Sequence, residues 1–255
     1  MERSVALLFL LATACNNATP TFPVAVNDRW GEPLADAVVA IEGTTERLTS
    51  DADGIVQLPA KVGELRLKAG KEGYIPEELV VNVTDVANPP REVLKLWKRP
   101  AETGFYAVQS GGYELLPAVP VKIVGTDNST LQGLASTGTV KVGPQLSLIF
   151  HTPLSQAQID AFDLELHRLD YVRSAEVMTV QGPATVEVNL NKSVGKVPME
   201  LTPLRTKTDY LITAKDLKPG FYALQSNHLL DRQDAEAFNR IPEDLRIAFP
   251  FEVKD

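Results

Sequence analysis

The chain has 255 residues, and 25 Lys and Arg against 33 Asp and Glu give it a formal charge of −8. That balance argues against a nucleic-acid partner, whose phosphates call for clustered cations. A hydrophobic fraction of 44% is that of a globular protein, and the single cysteine excludes a disulfide framework, so packed cores must hold one or two domains.

At the N-terminus Arg3 precedes an apolar run over residues 4–14 that closes on Cys15. The run is too short to span a bilayer, which takes about 20 apolar residues, and suits the apolar core of a secretory signal. Ala12-Thr13-Ala14-Cys15 resembles the lipobox of a bacterial lipoprotein signal peptide. The resemblance implies removal of residues 1–14, acylation of Cys15 and anchoring in a cell envelope. Asn16, not Asp, after the cysteine points by the same resemblance to the outer membrane. The alternative is an ordinary cleaved signal with an incidental cysteine. Residues 15–21 are small and polar and read as a tether.

From Phe22 onward short apolar runs alternate with turn clusters, the pattern of an antiparallel sandwich. Strands are expected over 23–27, 37–41, 55–58, 64–69, 79–83 and 93–97. Turns are expected over 28–33 and 50–54, where Gly31 and Gly54 can take the positive φ of a tight turn. Asp28, Gly31-Glu32-Pro33-Leu34, Thr49-Ser50-Asp51-Ala52-Asp53-Gly54 and Gly70-Lys71-Glu72-Gly73-Tyr74 together resemble the carboxypeptidase regulatory-like, or transthyretin-like, β-sandwich. The resemblance covers residues 22–98. It implies a fold and a surface appendage, with no catalytic residue to transfer.

Lys98 to Thr103 is polar with a proline, and a domain boundary is expected there. The second domain, residues 104–255, opens on Gly104-Phe105-Tyr106-Ala107-Val108-Gln109-Ser110, and the chain repeats this as Gly220-Phe221-Tyr222-Ala223-Leu224-Gln225-Ser226. Only Val108 and Leu224 differ. The copies read as equivalent central strands of one β-domain, with an internal duplication as the alternative. Tyr106 and Val108, like Tyr222 and Leu224, are expected to face the core. Further strands are expected over 119–124, 138–142, 145–151, 162–169, 184–190, 210–214 and 247–253. Short helices are expected over 155–161, capped by Ser155, and over 231–240, where acidic residues come early and Arg240 late. This half resembles uncharacterised bacterial exported β-proteins, a likeness that implies no activity.

Motifs for chemistry are sparse. His151, His167 and His228 stand at no metal-ligand spacing, and His167 is expected on a solvated strand face. Asp51-Ala52-Asp53-Gly54 starts like a calcium loop but lacks the later ligands, so a hairpin turn explains it better. There is no Gly-x-Ser-x-Gly and no phosphate-binding glycine loop. Asp163 with Glu165, or Glu165 with Asp170, could pair as carboxylates. Trp30 and Tyr113 could stack on a sugar or a partner, although local packing is the simpler account of both.

The expectation is therefore an all-β protein of two β-sandwich-like domains, with one or two short helices in the second. Its expected role is a non-catalytic, envelope-anchored lipoprotein acting as a surface binding or display module. No cofactor and no metal are expected, and the expected partners are the membrane, through the lipid, and an envelope protein or carbohydrate. An exported hydrolase with a dispersed site and a structural subunit of an envelope complex are the alternatives.

Overall fold

The computed structural model describes residues 20–126, 129–226, 228–230 and 235–255. The expected signal run, Cys15 and the start of the second expected helix lie outside the described residues. No helix among the described residues is long and apolar enough to cross a membrane.

The chain is all-β, with sandwich-like sheets, and divides into two compact units. Among the described residues, the first comprises residues 20–27, Pro33–Ala69 and Glu78–Leu94; the second comprises Asp28–Glu32, Gly70–Glu77 and those from Lys95 to Asp255. The strands up to the end of the first half are β1 (Thr21–Asp28), β2 (Val38–Ile41), β3 (Arg47–Thr49), β4 (Ile55–Pro59), β5 (Gly63–Gly70), β6 (Tyr74–Ile75), β7 (Glu77–Val83) and β8 (Val93–Lys98). They form two four-stranded sheets, ordered β4-β1-β8-β6 and β3-β2-β5-β7. Strict alternation along β1 buries Phe22, Val24 and Val26 and leaves their neighbours outward. The 50–54 segment is a turn, as the sequence suggests. The Asp51 carboxylate accepts the backbone N–H groups of Asp53 at 3.0 Å and Ile55 at 2.9 Å. Gly54 has φ +74°, and a Cβ there would lie 2.7 Å from the Val26 carbonyl oxygen, so no other residue fits.

The rest of the second unit contains β9 (Gly104–Gln109), β10 (Gly112–Leu115), β11 (Val119–Thr126), β12 (Ser129–Leu134), β13 (Lys141–Val142), β14 (Leu146–His151), β15 (Glu165–Thr179), β16 (Gly182–Val197), β17 (Glu200–Pro203), β18 (Asp209–Ala214), β19 (Gly220–Gln225) and β20 (Ile247–Val253). Two short helices join them, α1 (Gln156–Ala161) and α2 (Ala235–Asn239). Ser155 is the N-cap of α1, and its backbone N–H is accepted by the Gln158 side chain at 2.9 Å.

One sheet runs β10-β9-β14-β18-β17. In the other, β11, β12, β16, β15, β19 and β20 pair in turn, and β20 pairs back with β11, so the pairing closes into a ring of six strands. The C-terminal end of β20 takes β13 as a parallel partner instead. Expected strands 162–169 and 184–190 are parts of one long hairpin, β15–β16. Its outer part, residues 174–179 paired with 182–187, has no other strand partner among the described residues.

Both copies of the aromatic heptad are interior strands, β9 between β10 and β14 and β19 between β15 and β20. They stand in different sheets, however, and meet one core from opposite sides. Tyr222 and Leu224 enter that core as expected, but from β9 it is Phe105 and Ala107 that enter it. The expectation for Tyr106 and Val108 is thus corrected: they pack on the reverse face, partly buried against Ile75, Trp97 and Ile149. A second core, inside the ring, gathers Leu169, Ala223, Leu229, Leu230 and Phe238.

Candidate functional site

Three polar features of the second unit can carry chemistry. The first is built where β15 begins. Glu165, His167 and Leu169 share one face of β15 by alternation, and β19 on one side and β16 on the other cover this stretch. His167 is accordingly fully buried, which corrects the expected solvated position. Its Nδ1 lies 2.6 Å from Ser193 Oγ and its Nε2 lies 3.0 Å from Glu165 Oε2. Gln225, also fully buried, donates to the same Glu165 oxygen at 2.9 Å and accepts the Leu230 backbone N–H. The Gln225 amide nitrogen also lies 2.9 Å from His167 Nε2, so Gln225 meets both members of the Glu165–His167 pair.

The other Glu165 oxygen faces the Lys196 ammonium and lies 3.3 Å from His228 Nδ1, while His228 Nε2 lies 3.0 Å from Asp163 Oδ2. Asp163 and Glu165 therefore do come together, although not as strand neighbours. Asp163 precedes β15 with φ +47°, and His228 bridges the two carboxylates. Asp170 lies further along β15, opposite Lys192, and takes no part. No local spacing could have linked His228 to Glu165, because only the β15–β19 pairing joins their segments.

Burial works to raise the Glu165 carboxyl, but bonds from Lys196, His167 and Gln225 and the charge of His228 outweigh it, so the group is held below its ordinary value of 4.5. A carboxylate held low in the folded state contributes stability that is present above its unfolded value and lost as pH falls through the folded one. Glu165→Gln is therefore expected to be less stable than wild type at pH 7, with the difference shrinking once pH drops below 4.5. Denaturant melts of both proteins at neutral and acidic pH check this, and a difference that stays constant through the acidic range contradicts it.

The second feature is a buried carboxylate. Asp209 starts β18 opposite His151 of β14 and is fully buried. Its Oδ1 accepts from His151 Nδ1 at 2.8 Å, and its Oδ2 accepts from the hydroxyls of Thr206 at 2.6 Å and Thr208 at 3.0 Å. Arg99 Nε stands 3.5 Å from Oδ2.

The third feature is an open cleft of about 570 Å³ lined by Trp30, Tyr74, Tyr106 and Tyr113 together with Asp28, Glu32, Lys98 and Arg99. Trp30 and Tyr113 pack locally, as the simpler sequence reading has it: their rings meet edge to face at 5.0 Å. The Trp30 indole N–H donates to the Gln109 carbonyl at 2.7 Å, and the Tyr113 hydroxyl to the Lys98 carbonyl at 2.7 Å. Asp28 fixes the Trp30 loop by accepting the backbone N–H groups of Trp30 and Glu32, each at 2.9 Å. Burial, and then the negative charge of Asp209, push the Tyr113 phenol well above its ordinary value, so it stays neutral. Of the cleft aromatics, Tyr74 and Tyr106 were not read as cleft residues from the sequence. Tyr74, which opens β6, reads as an aromatic at a strand entrance packed against the core, and Tyr106 was expected to face the core.

No family model matches this chain, and no curated protein matches it in sequence.

Proposed function

We propose that the protein is an exported lipoprotein, held on a bacterial cell envelope through Cys15, that works as a non-catalytic binding module with the Trp30 cleft as its carbohydrate-binding face. The observation that carries this reading is the cleft itself. Four aromatic residues line it together with two acidic and two basic residues. Sugars present apolar C–H faces that stack on aromatic rings and hydroxyls that bond to charged side chains, so this lining suits them. The lipobox-like Ala12-Thr13-Ala14-Cys15 supports the anchor, and two or more acyl chains would hold it firmly, each buried methylene adding about 0.8 kcal/mol.

Fractionation of cells expressing wild type and Cys15→Ala tests the anchor. The variant is expected in the soluble fraction, and equal membrane retention of the two overturns the lipid reading. Tryptophan fluorescence during titration with soluble envelope oligosaccharides tests the cleft. Wild type is expected to respond saturably and Trp30→Ala to lose binding while keeping its melting transition. Equal binding by Trp30→Ala, or no response from wild type, sinks the carbohydrate assignment.

A further inference from the structure

The cluster at the start of β15 has the composition and spacing of a metal site. Asp163, Glu165 and His228 each present one ligand atom, and these atoms all lie within 4.8 Å of one another. Zinc binds imidazole nitrogen and carboxylate oxygen at about 2.0–2.2 Å, which sets tetrahedral ligands roughly 3.4 Å apart. His228 now meets Asp163 through Nε2 at 3.0 Å and Glu165 through Nδ1 at 3.3 Å, so a turn of its exposed ring would bring a single nitrogen toward both carboxylates. The donor set is one borderline nitrogen with two hard oxygens. It fits zinc better than calcium, which takes oxygen ligands only.

Two further features distinguish this cluster from an ordinary group of surface charges. Glu165 is oriented from behind by two fully buried side chains, His167 and Gln225, both on its Oε2. Outer contacts of this kind aim a ligand carboxylate and leave its second oxygen for the ion. That second oxygen is already met by a cation, the Lys196 ammonium. Asp163 and His228 are both substantially exposed, so they can adjust around an ion without disturbing the core.

We infer that Asp163, Glu165 and His228 bind a divalent transition-metal ion of the zinc type, with Lys196 occupying the cation's place on Glu165 when the ion is absent. Three protein ligands leave a fourth position open to water or to a ligand oxygen. The inference is independent of the carbohydrate cleft, which shares none of these residues.

The test is titration of the untagged full chain carrying Cys15→Ala with zinc sulfate by calorimetry, together with cobalt(II) absorption in the visible. Wild-type ligands are expected to give one ion per chain and a tetrahedral cobalt band. His228→Ala and Asp163→Ala, both outside the core, are each expected to weaken binding at least about tenfold and abolish the band. Lys196→Met, which removes the competing ammonium, is expected to tighten binding. Absence of binding to the parent chain overturns the inference. So does binding that survives both His228→Ala and Asp163→Ala, which would place the ion elsewhere.

Discussion

Tyr222→Ala is expected to destabilise the second unit by about 3–5 kcal/mol, the range for deleting a large aromatic from a packed core. Tyr222 is almost wholly buried, stacks on Phe251 with ring centroids 5.9 Å apart, and donates its hydroxyl to the Lys218 carbonyl at 2.8 Å. The alanine removes the ring and also leaves that carbonyl short of a donor. In the other heptad the burden moves by one residue. Phe105, not Tyr106, enters the shared core, stacked on Phe150 at 4.1 Å and tilted against Phe249 at 4.6 Å. Phe105→Ala is expected to cost about the same 3–5 kcal/mol. The half-buried neighbours Tyr106 and Phe221 are expected to cost about 1–2 kcal/mol each. Chemical denaturation of the four alanine variants reads this directly. If Tyr106→Ala proves as costly as Phe105→Ala, the orientation of β9 is wrong.

Removing the Asp209 carboxylate should be nearly as damaging. Asp209→Ala is expected to cost about 2–4 kcal/mol, because the Thr206 and Thr208 hydroxyls and His151 Nδ1 lose the buried acceptor they share. His151, Thr206, Thr208 and Arg99 all converge on this one carboxylate. Asp209→Asn keeps the shape but replaces one acceptor oxygen by a donor, so it should fall between wild type and the alanine. Urea melts of the three proteins order them, and an alanine variant within about 0.5 kcal/mol of wild type would remove the carboxylate from any structural role.

The all-β class was legible because nearly every strand with one buried face carries its own alternation. β1 and the core-facing stretches of β14 and β18 show it clearly. The length of the β15–β16 hairpin was not legible, because its outer part includes Glu176 and Glu187 and buries little that a hydrophobic pattern could register. Nor was the ring, since the pairing of Val119 with Ala248 joins segments from opposite ends of the second unit. The heptads show the limit of local reading most plainly. Each carries an aromatic on both faces, so the residues announce a strand covered on both sides but not which face meets which core. The site fared worse than the fold: Asp163 and Glu165 were visible as neighbours and His167 stands two residues along the same strand, while His228 and Gln225 reach them only through strand pairing.

The six-stranded ring has a consequence for how the protein behaves in company. A sheet that closes on itself leaves no free backbone edge for another chain to extend. The outer part of the β15–β16 hairpin departs from that arrangement, for among the described residues each of its two strands has one side without a strand partner. Val180 at its tip is 93% exposed, so apolar surface is offered there as well. Charge guards the ribbon: Arg173 and Glu187 face each other within 3.8 Å, both well exposed, and Glu176 follows along the strand. A second copy approaching edge to edge would have to strip water from these groups. The ribbon thus extends from the closed ring with charged side chains, rather than a further strand among the described residues, along its edges.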